Sequence, residues 1–316
     1  MICRYVLGKR MRIHWRRTDV LSGLFLLTVA VNTALLAWMP RLELRLLLVL
    51  SQALLLAGCQ EAKHQCVHGS FFSNRRANDV VGTFCAALFG VNFTAYRYFH
   101  LQHHRATCTD ADPEGRLYEL SLSTRWIWVL APLEMGWVAF HINRRAWSMV
   151  PAARRGERFA ALGGMLLLAA LLSLCAWCAP QTLLWTYVLP LALFSWFDFV
   201  LTQAEHYGVA ILPAKQRIDP GAVTHDIVLP LGLGWLNLHR TLHRVHHRYP
   251  ALHWSEAPAK LRDDPTAPPP LSYATFVRRW LVGGPRLWPR AAEPTPSTPS
   301  FAGAAADGSA LAMLHQ

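Results

Sequence analysis

The apolar positions of this chain gather into long unbroken runs, with neither the stripe of an amphipathic helix nor the alternation of a half-buried strand. Four runs approach or reach the ~20 residues that cross a bilayer as a helix. They cover 19–39, 44–60, 159–178 and 182–201. Arg45, near the start of the second run, can snorkel to the interface along its aliphatic stem. Two shorter apolar pieces, 80–93 and 126–141, read as interfacial or re-entrant helices, and Trp126, Trp128 and Trp137 suit headgroup depth. Short links join the first run to the second and the third to the fourth. The pattern predicts an all-α integral membrane protein with four transmembrane helices in two hairpins, hung from a helical cap.

Composition agrees. Of 316 residues, 53% are hydrophobic and 16% charged, against about 25% charged in an ordinary globular chain. That excludes a typical soluble enzyme. The formal charge is +12, unevenly placed. Residues 1–17 hold six Lys or Arg, the first hairpin link holds Arg41, and the second link holds none. Most of the other basic residues lie in 61–158 and after 205. The positive-inside rule then puts both termini and the cap in the cytoplasm. It also explains the basic residues without nucleic acid as a partner. The basic N-terminus is not a cleaved signal peptide, because its apolar run is too long and another span follows directly.

The expected segments are a basic N-terminus (1–18), a membrane domain (19–265) and a C-terminal segment (266–316). The last is rich in Ala, Pro, Ser and Thr from about 290 and is expected to be disordered there. Seven cysteines without framework spacing predict no structural disulfide. Cys175 and Cys178 close an apolar run and read as packed thiols.

Histidine changes the picture most. Nine of the fifteen histidines fall at predicted membrane ends, all on the predicted cytoplasmic side. His64 and His68 are spaced i, i+4. His100, His103 and His104 are spaced i, i+3, i+4, and His243, His246 and His247 repeat that spacing. His206 ends the fourth run. On a helix these spacings put the rings on one face. Imidazole is the commonest metal-binding side chain, and nine rings are enough for two metals at about four to six ligands each. The pattern alone leaves iron, zinc, copper and nickel open. A histidine-capped transporter would carry more ionisable groups along its spans, and a zinc hydrolase needs only three protein ligands. His14, His141, His225, His253 and His315 stand alone and read as packing or surface residues. His239 sits four residues before His243 and could share its face.

The three clusters read HQCVH, HLQHH and HRVHH, in that order. Together with HGSFFSNRRANDVVG, FHLQHHRATCTDADPE and HHRYP around them, they resemble the membrane fatty acid desaturase family over residues 20–265. The resemblance implies two Fe ions held by His64, His68, His100, His103, His104, His243, His246 and His247, with His206 matching a further family ligand and Asn237 a candidate for a tenth. It implies O2 as co-substrate and a lipid-, CoA- or carrier-protein-linked acyl chain. Electrons would come from an external donor such as a ferredoxin, rubredoxin or cytochrome b5-like protein, since the sequence carries no haem, flavin or iron–sulfur motif. The likeness to bacterial members points to a bacterial inner membrane.

Two departures matter. Gln65 stands where many bacterial relatives have Glu. The segment EHYG, 205–208, resembles a motif of the alkane monooxygenases, which keeps hydroxylation of an alkyl, acyl or carotenoid chain as the alternative to desaturation. Ligand rings usually donate their second N–H to an acid or carbonyl, and Asp110, Asp112, Glu114 and Glu205 are the acids nearest in sequence. Asp198, inside the fourth run, is expected to support His206, to line the substrate path, or to pair with a polar group between spans.

Overall fold

The structure, a computed structural model, describes residues 16–114, 127–213 and 219–283. The expectations for Trp126, for most of the basic N-terminus and for a disordered tail from about 290 lie outside the described residues.

In chain order the helices are α1 (Arg17–Trp38), α2 (Leu42–His68), α3 (Arg75–Ala87), α4 (Phe93–Ala106), α5 (Ile127–Ala146), α6 (Arg155–Cys178) and α7 (Pro180–Glu205). After them come strand β1 (Ile227–Val228), α8 (His243–Arg248), α9 (Ala257–Arg262), strand β2 (Leu271–Ser272) and α10 (Tyr273–Gly283). The two short strands pair in parallel. The fold is mostly helical, as the apolar runs predict.

Four helices are long and apolar enough to cross a bilayer: α1, α2, a segment 152–178 that contains α6, and α7. They make the chain a membrane protein. They form two hairpins, turning at 39–41 and at Ala179. Leu24, Leu27, Val31 and Leu35 on α1, and Leu166, Leu167, Leu171 and Leu174 on α6, are exposed. A large apolar surface left open in this way suits lipid as solvent.

Helix α2 is the centre of the bundle. It packs against α1, α3 and α7. Gly58 lets it close on its neighbours, because a Cβ there would stand 2.3 Å from the Leu236 carbonyl and 2.5 Å from the Phe25 ring. The helix runs on past 60 to His68, so its last two turns rise out of the apolar run and carry polar side chains inward. Gly69, at φ +70°, ends it in the left-handed conformation that a glycine adopts without strain. Two asparagine caps then start the cap helices. Asn74 accepts from the N–H groups of Arg76 and Ala77 to open α3, and Asn92 accepts from Ala95 to open α4. Phe25, Phe71, Phe99 and Trp254 fill the core beneath.

In α7, a π-turn at Leu184–Val188 precedes Pro190, whose ring cannot donate a backbone hydrogen bond. The helix then continues to Glu205 and delivers His206 to the same end of the bundle as His68.

Candidate metal centre

Four pieces of backbone bring nine imidazoles together. His64 and His68 come from the last turns of α2, and His100, His103 and His104 from the second half of α4. His206 follows α7, and His243, His246 and His247 come from α8. They form two groups. One holds His64, His68, His100, His104 and His246, the other His103, His206, His243 and His247, and within each group the ligand atoms lie within 4.8 Å of one another. The division follows helix geometry. In α4 the i, i+4 pair His100 and His104 goes to the first group and His103 to the second. In α8 the i, i+4 pair His243 and His247 goes to the second and His246 to the first. Each helix lies between the two groups and serves both.

The far nitrogens of several rings are held. His64 Nδ1 is 2.8 Å from Glu61 Oε2, and His100 Nδ1 is 3.3 Å from Glu114 Oε1. His103 Nδ1 is 2.9 Å from Asp112 Oδ2, and His206 Nδ1 is 2.9 Å from the Val223 carbonyl. The acids are themselves fixed. Gln65 Nε2 donates to Glu61 Oε1, and the backbone N–H groups of Cys108 and Glu114 donate to Asp112. An acceptor at Nδ1 keeps the proton there and turns the Nε2 lone pair inward.

That tautomer makes the inner contacts informative. The Nε2 atoms of His64 and His100 are 2.8 Å apart, those of His100 and His104 2.9 Å, and those of His104 and His246 3.0 Å. In the second group, His247 Nε2 lies 3.0 Å from His243 Nε2 and 3.3 Å from His103 Nε2. With both outer nitrogens donating to carboxylates, the Nε2 lone pairs of His64 and His100 would face each other with no proton between them. A cation shared by both removes the conflict. The donor set therefore fits a metal site: nine convergent ring nitrogens, with the outer nitrogens of His64, His100, His103 and His206 placed by an acid or a carbonyl.

Protonation follows the same logic. Burial, reinforced by neighbouring imidazoles, pushes His100, His243, His246 and His247 well below the ordinary value of 6.5. It takes His104 to about 2 and His206 to about 3. These rings are neutral at physiological pH, as metal ligands must be. His103 goes the other way. Burial lowers it too, but the charges of Asp112 and Glu114 and the hydrogen bond that His103 donates to Asp112 outweigh that and raise it to about 9. Asp112 responds in kind: burial raises it, and His103 more than compensates, so its carboxyl sits below the usual range.

The remaining predicted residues are placed differently. Asp112 meets the His103 ring and Glu114 the His100 ring. Asp110 is exposed, with its backbone N–H bonded to the Leu212 carbonyl. Asp198 does not support His206, whose ring is held by Val223. It pairs instead with Arg240, which also donates from Nε to Glu205 at 2.8 Å and from a terminal nitrogen to Thr202 Oγ1 at 2.8 Å. Asp198 and Glu205 thus neutralise a buried guanidinium between span and cap. Asn237 is buried, and both polar atoms of its amide lack a hydrogen-bond partner among the described residues. His239 stacks on Trp254, 6.3 Å between centroids, and belongs to neither group.

Glu61 escaped the sequence reading although its signal was local: an acid three residues before a ligand histidine shares its helical face. Arg240 and Lys63 had no such signal, because their partners are distant in sequence. Both line a chamber with about 570 Å³ of free space, partly open, that reaches His64, His100 and His243.

A sequence profile of the family described as "Fatty acid desaturase" matches residues 36–279. Among curated proteins, the chain is 25% identical over 221 residues to an "Omega-3 fatty acid desaturase, endoplasmic reticulum" from Vigna radiata var. radiata. That match covers 60% of this chain and 56% of the relative, so the chain spans little more than half of that protein's length.

Proposed function

Because the chain belongs to the fatty acid desaturase family, we propose that it is an O2-dependent membrane oxidoreductase that introduces a double bond into an acyl chain, using two iron ions held by the nine histidines. The observation that carries this reading is the pair of convergent imidazole groups, with the outer nitrogens of His64, His100, His103 and His206 held by Glu61, Glu114, Asp112 and Val223. The Vigna relative's name supports the same substrate class. Bound iron supplies the oxidising power that no side chain has: breaking an unactivated C–H bond with O2 and electrons. The chain's own residues do the rest. Glu61, Asp112 and Glu114 orient the rings and hold the outer protons. Arg240, tied to Asp198, Thr202 and Glu205, braces the loop before α8 against α7. The apolar walls above the chamber hold the alkyl part and exclude water.

In this reading both electrons come from a separate donor protein on the cytoplasmic side, consistent with the basic N-terminus. Overall, two hydrogens leave adjacent carbons, and O2, two further protons and two electrons give two waters. Hydroxylation is the second reading. It uses the same ligands, and the EHYG segment favours it. Expression in a host followed by lipid mass spectrometry separates them. A loss of two hydrogens supports desaturation, and a gain of one oxygen supports hydroxylation. An unchanged profile with an iron-loaded protein and a competent donor rejects both for the host's lipids.

A further inference from the structure

Eight of the nine rings stand on helices, where the backbone fixes the direction of each side chain. His206 does not. It caps the C-terminus of α7, with φ −133° and ψ 27°, so its ring depends on support from elsewhere. One support is the Val223 carbonyl, 2.9 Å from Nδ1. A second is the thiol of Cys108, 98 residues away in sequence, whose Sγ lies 3.4 Å from the same nitrogen. The sulfur is also 3.8 Å from the Val223 oxygen. A thiol is a weak donor and a weak acceptor. Its S–H is placed to reach the carbonyl, and its lone pair faces the ring N–H. Ring, carbonyl and thiol thus close a triangle, and the His206 imidazole is held from two sides.

The backbone at Cys108 is strained. Its φ is +56°, in the left-handed region that glycine enters freely and a residue with a side chain rarely adopts. The residue is fully buried. Its N–H donates to Asp112 Oδ2 at 2.9 Å, and Asp112 in turn holds His103. Its carbonyl accepts from the Leu212 N–H at 2.9 Å, on the segment that follows His206. One residue therefore touches the supports of two rings, both in the four-membered group. Glycine would make the same two backbone bonds without strain. What glycine lacks is the sulfur. A side chain held in a strained conformation beside a functional group points to a role for that side chain.

We propose that Cys108 is a positioning residue of the four-membered histidine group, its thiol fixing the His206 imidazole so that Nε2 faces the ion. This rests on the reading that the group holds a metal, and it deepens that reading. The two backbone bonds are open to any residue at 108 and set the course of the chain. The thiol alone acts on the ring. Without it, the Nδ1–H keeps one acceptor, and the ring gains freedom to swing about its Cβ–Cγ bond and take Nε2 off the line to the ion. His103, His243 and His247 keep their helical footing.

Titration of ferrous iron into the purified, metal-stripped full chain, in competition with a chelator, tests this. His103→Ala marks the binding phase that belongs to the four-membered group. Cys108→Gly and Cys108→Ala should each weaken that phase about 10-fold and leave the other within about 2-fold, the lower end of what removing a ligand's support does. Cys108→Ser keeps a donor and an acceptor and should recover most of the loss. Melting of the metal-free variants supplies the control. Glycine relieves the left-handed strain and alanine retains it, so Cys108→Gly should melt above Cys108→Ala while binding iron no better. For a merely structural residue, iron affinity follows the melting order instead. That result, or a Cys108→Gly protein that binds both ions as the unaltered chain does, overturns the inference. If Cys108→Ala does not fold, Cys108→Gly and Cys108→Ser decide. An unaltered chain that binds no iron overturns this role and the proposed reaction together. Lipid oxidation is read separately. A chain that binds two irons, loses affinity in the marked phase as Cys108→Gly and oxidises no lipid contradicts the proposed reaction and not this role. A chain that oxidises lipid and binds iron equally well as Cys108→Gly does the reverse.

Discussion

The two histidine groups share helices but not surroundings. In the four-membered group every ring is buried, and His103 is fully so. Its backing is short and rigid: a buried Asp112 that also collects two backbone N–H groups, and a backbone carbonyl. In the five-membered group, His68 and His104 are only partly buried, and His64 and His100 line the chamber, which His243 alone of the other group also reaches. Glu61 and Glu114 support it through longer side chains. The closed group is built to hold an ion in place. The open group has one more nitrogen and faces the space where a substrate fits. Two ions of the same kind would then do unlike work, one anchored and one presented.

Breaking one group at a time gives the largest expected effect. His246→Ala removes a ligand from the open group and His103→Ala one from the closed group. Each should lower turnover at least about 100-fold and take iron from about two per chain toward one. Membrane insertion should persist, since the spans are untouched. Near-normal turnover in either variant contradicts its place in the centre.

Arg240 braces both groups, because it links α7 to the loop before α8. Arg240→Met leaves the buried Glu205 and the partly buried Asp198 without their cation, and should destabilise the fold by about 3–5 kcal/mol, read as a lowered thermal midpoint in detergent with and without metal.

The acids sharpen the comparison further. Asp112→Asn keeps an acceptor but not the charge, and should weaken metal binding about 10-fold to 100-fold. Glu61→Gln, in the open group, should fall at the lower end of that range. Competition with a chelator measures both. Equal effects would mean that the two groups are alike.

The smallest effect separates loss of fold from loss of metal on acidification. His253, which belongs to neither group and is bonded to Ser22 and Ser255, is held by burial at about 4, below the ordinary 6.5. The unfolded chain takes up the proton first, so the neutral ring stabilises the fold above pH 6.5. That contribution is lost as pH falls from 6.5 toward 4. One unit into that window, at pH 5.5, the part lost amounts to about 1.4 kcal/mol. His253→Gln should flatten that limb of the stability curve without changing the pH dependence of iron retention.

The spans and the nine histidines were legible in the sequence because both signals are local. A bilayer-length apolar run needs no partner to be recognised, and i, i+3, i+4 spacing already places three rings on one face. The division into two groups was not legible. It depends on how α4 and α8 are rotated against each other, which decides that His103 and His246 each leave their neighbours. The extension of α2 past 60 was hidden for a related reason: the polar residues that end the hydropathy run at Glu61 and Lys63 are accommodated inside the cap and do not stop the helix. Asp198 was rightly flagged as unusual, but its partner Arg240 lies 42 residues away, beyond any local pattern.

Elemental analysis of the purified chain, combined with separate titration of metal into the unaltered protein, His103→Ala and His246→Ala, tests the central claim most directly. Two unlike centres predict about two irons per chain, bound in two distinguishable phases, with each variant missing a different one. A single phase of one ion, or the same phase lost in both variants, would contradict the division of the nine histidines into an anchored and an open site.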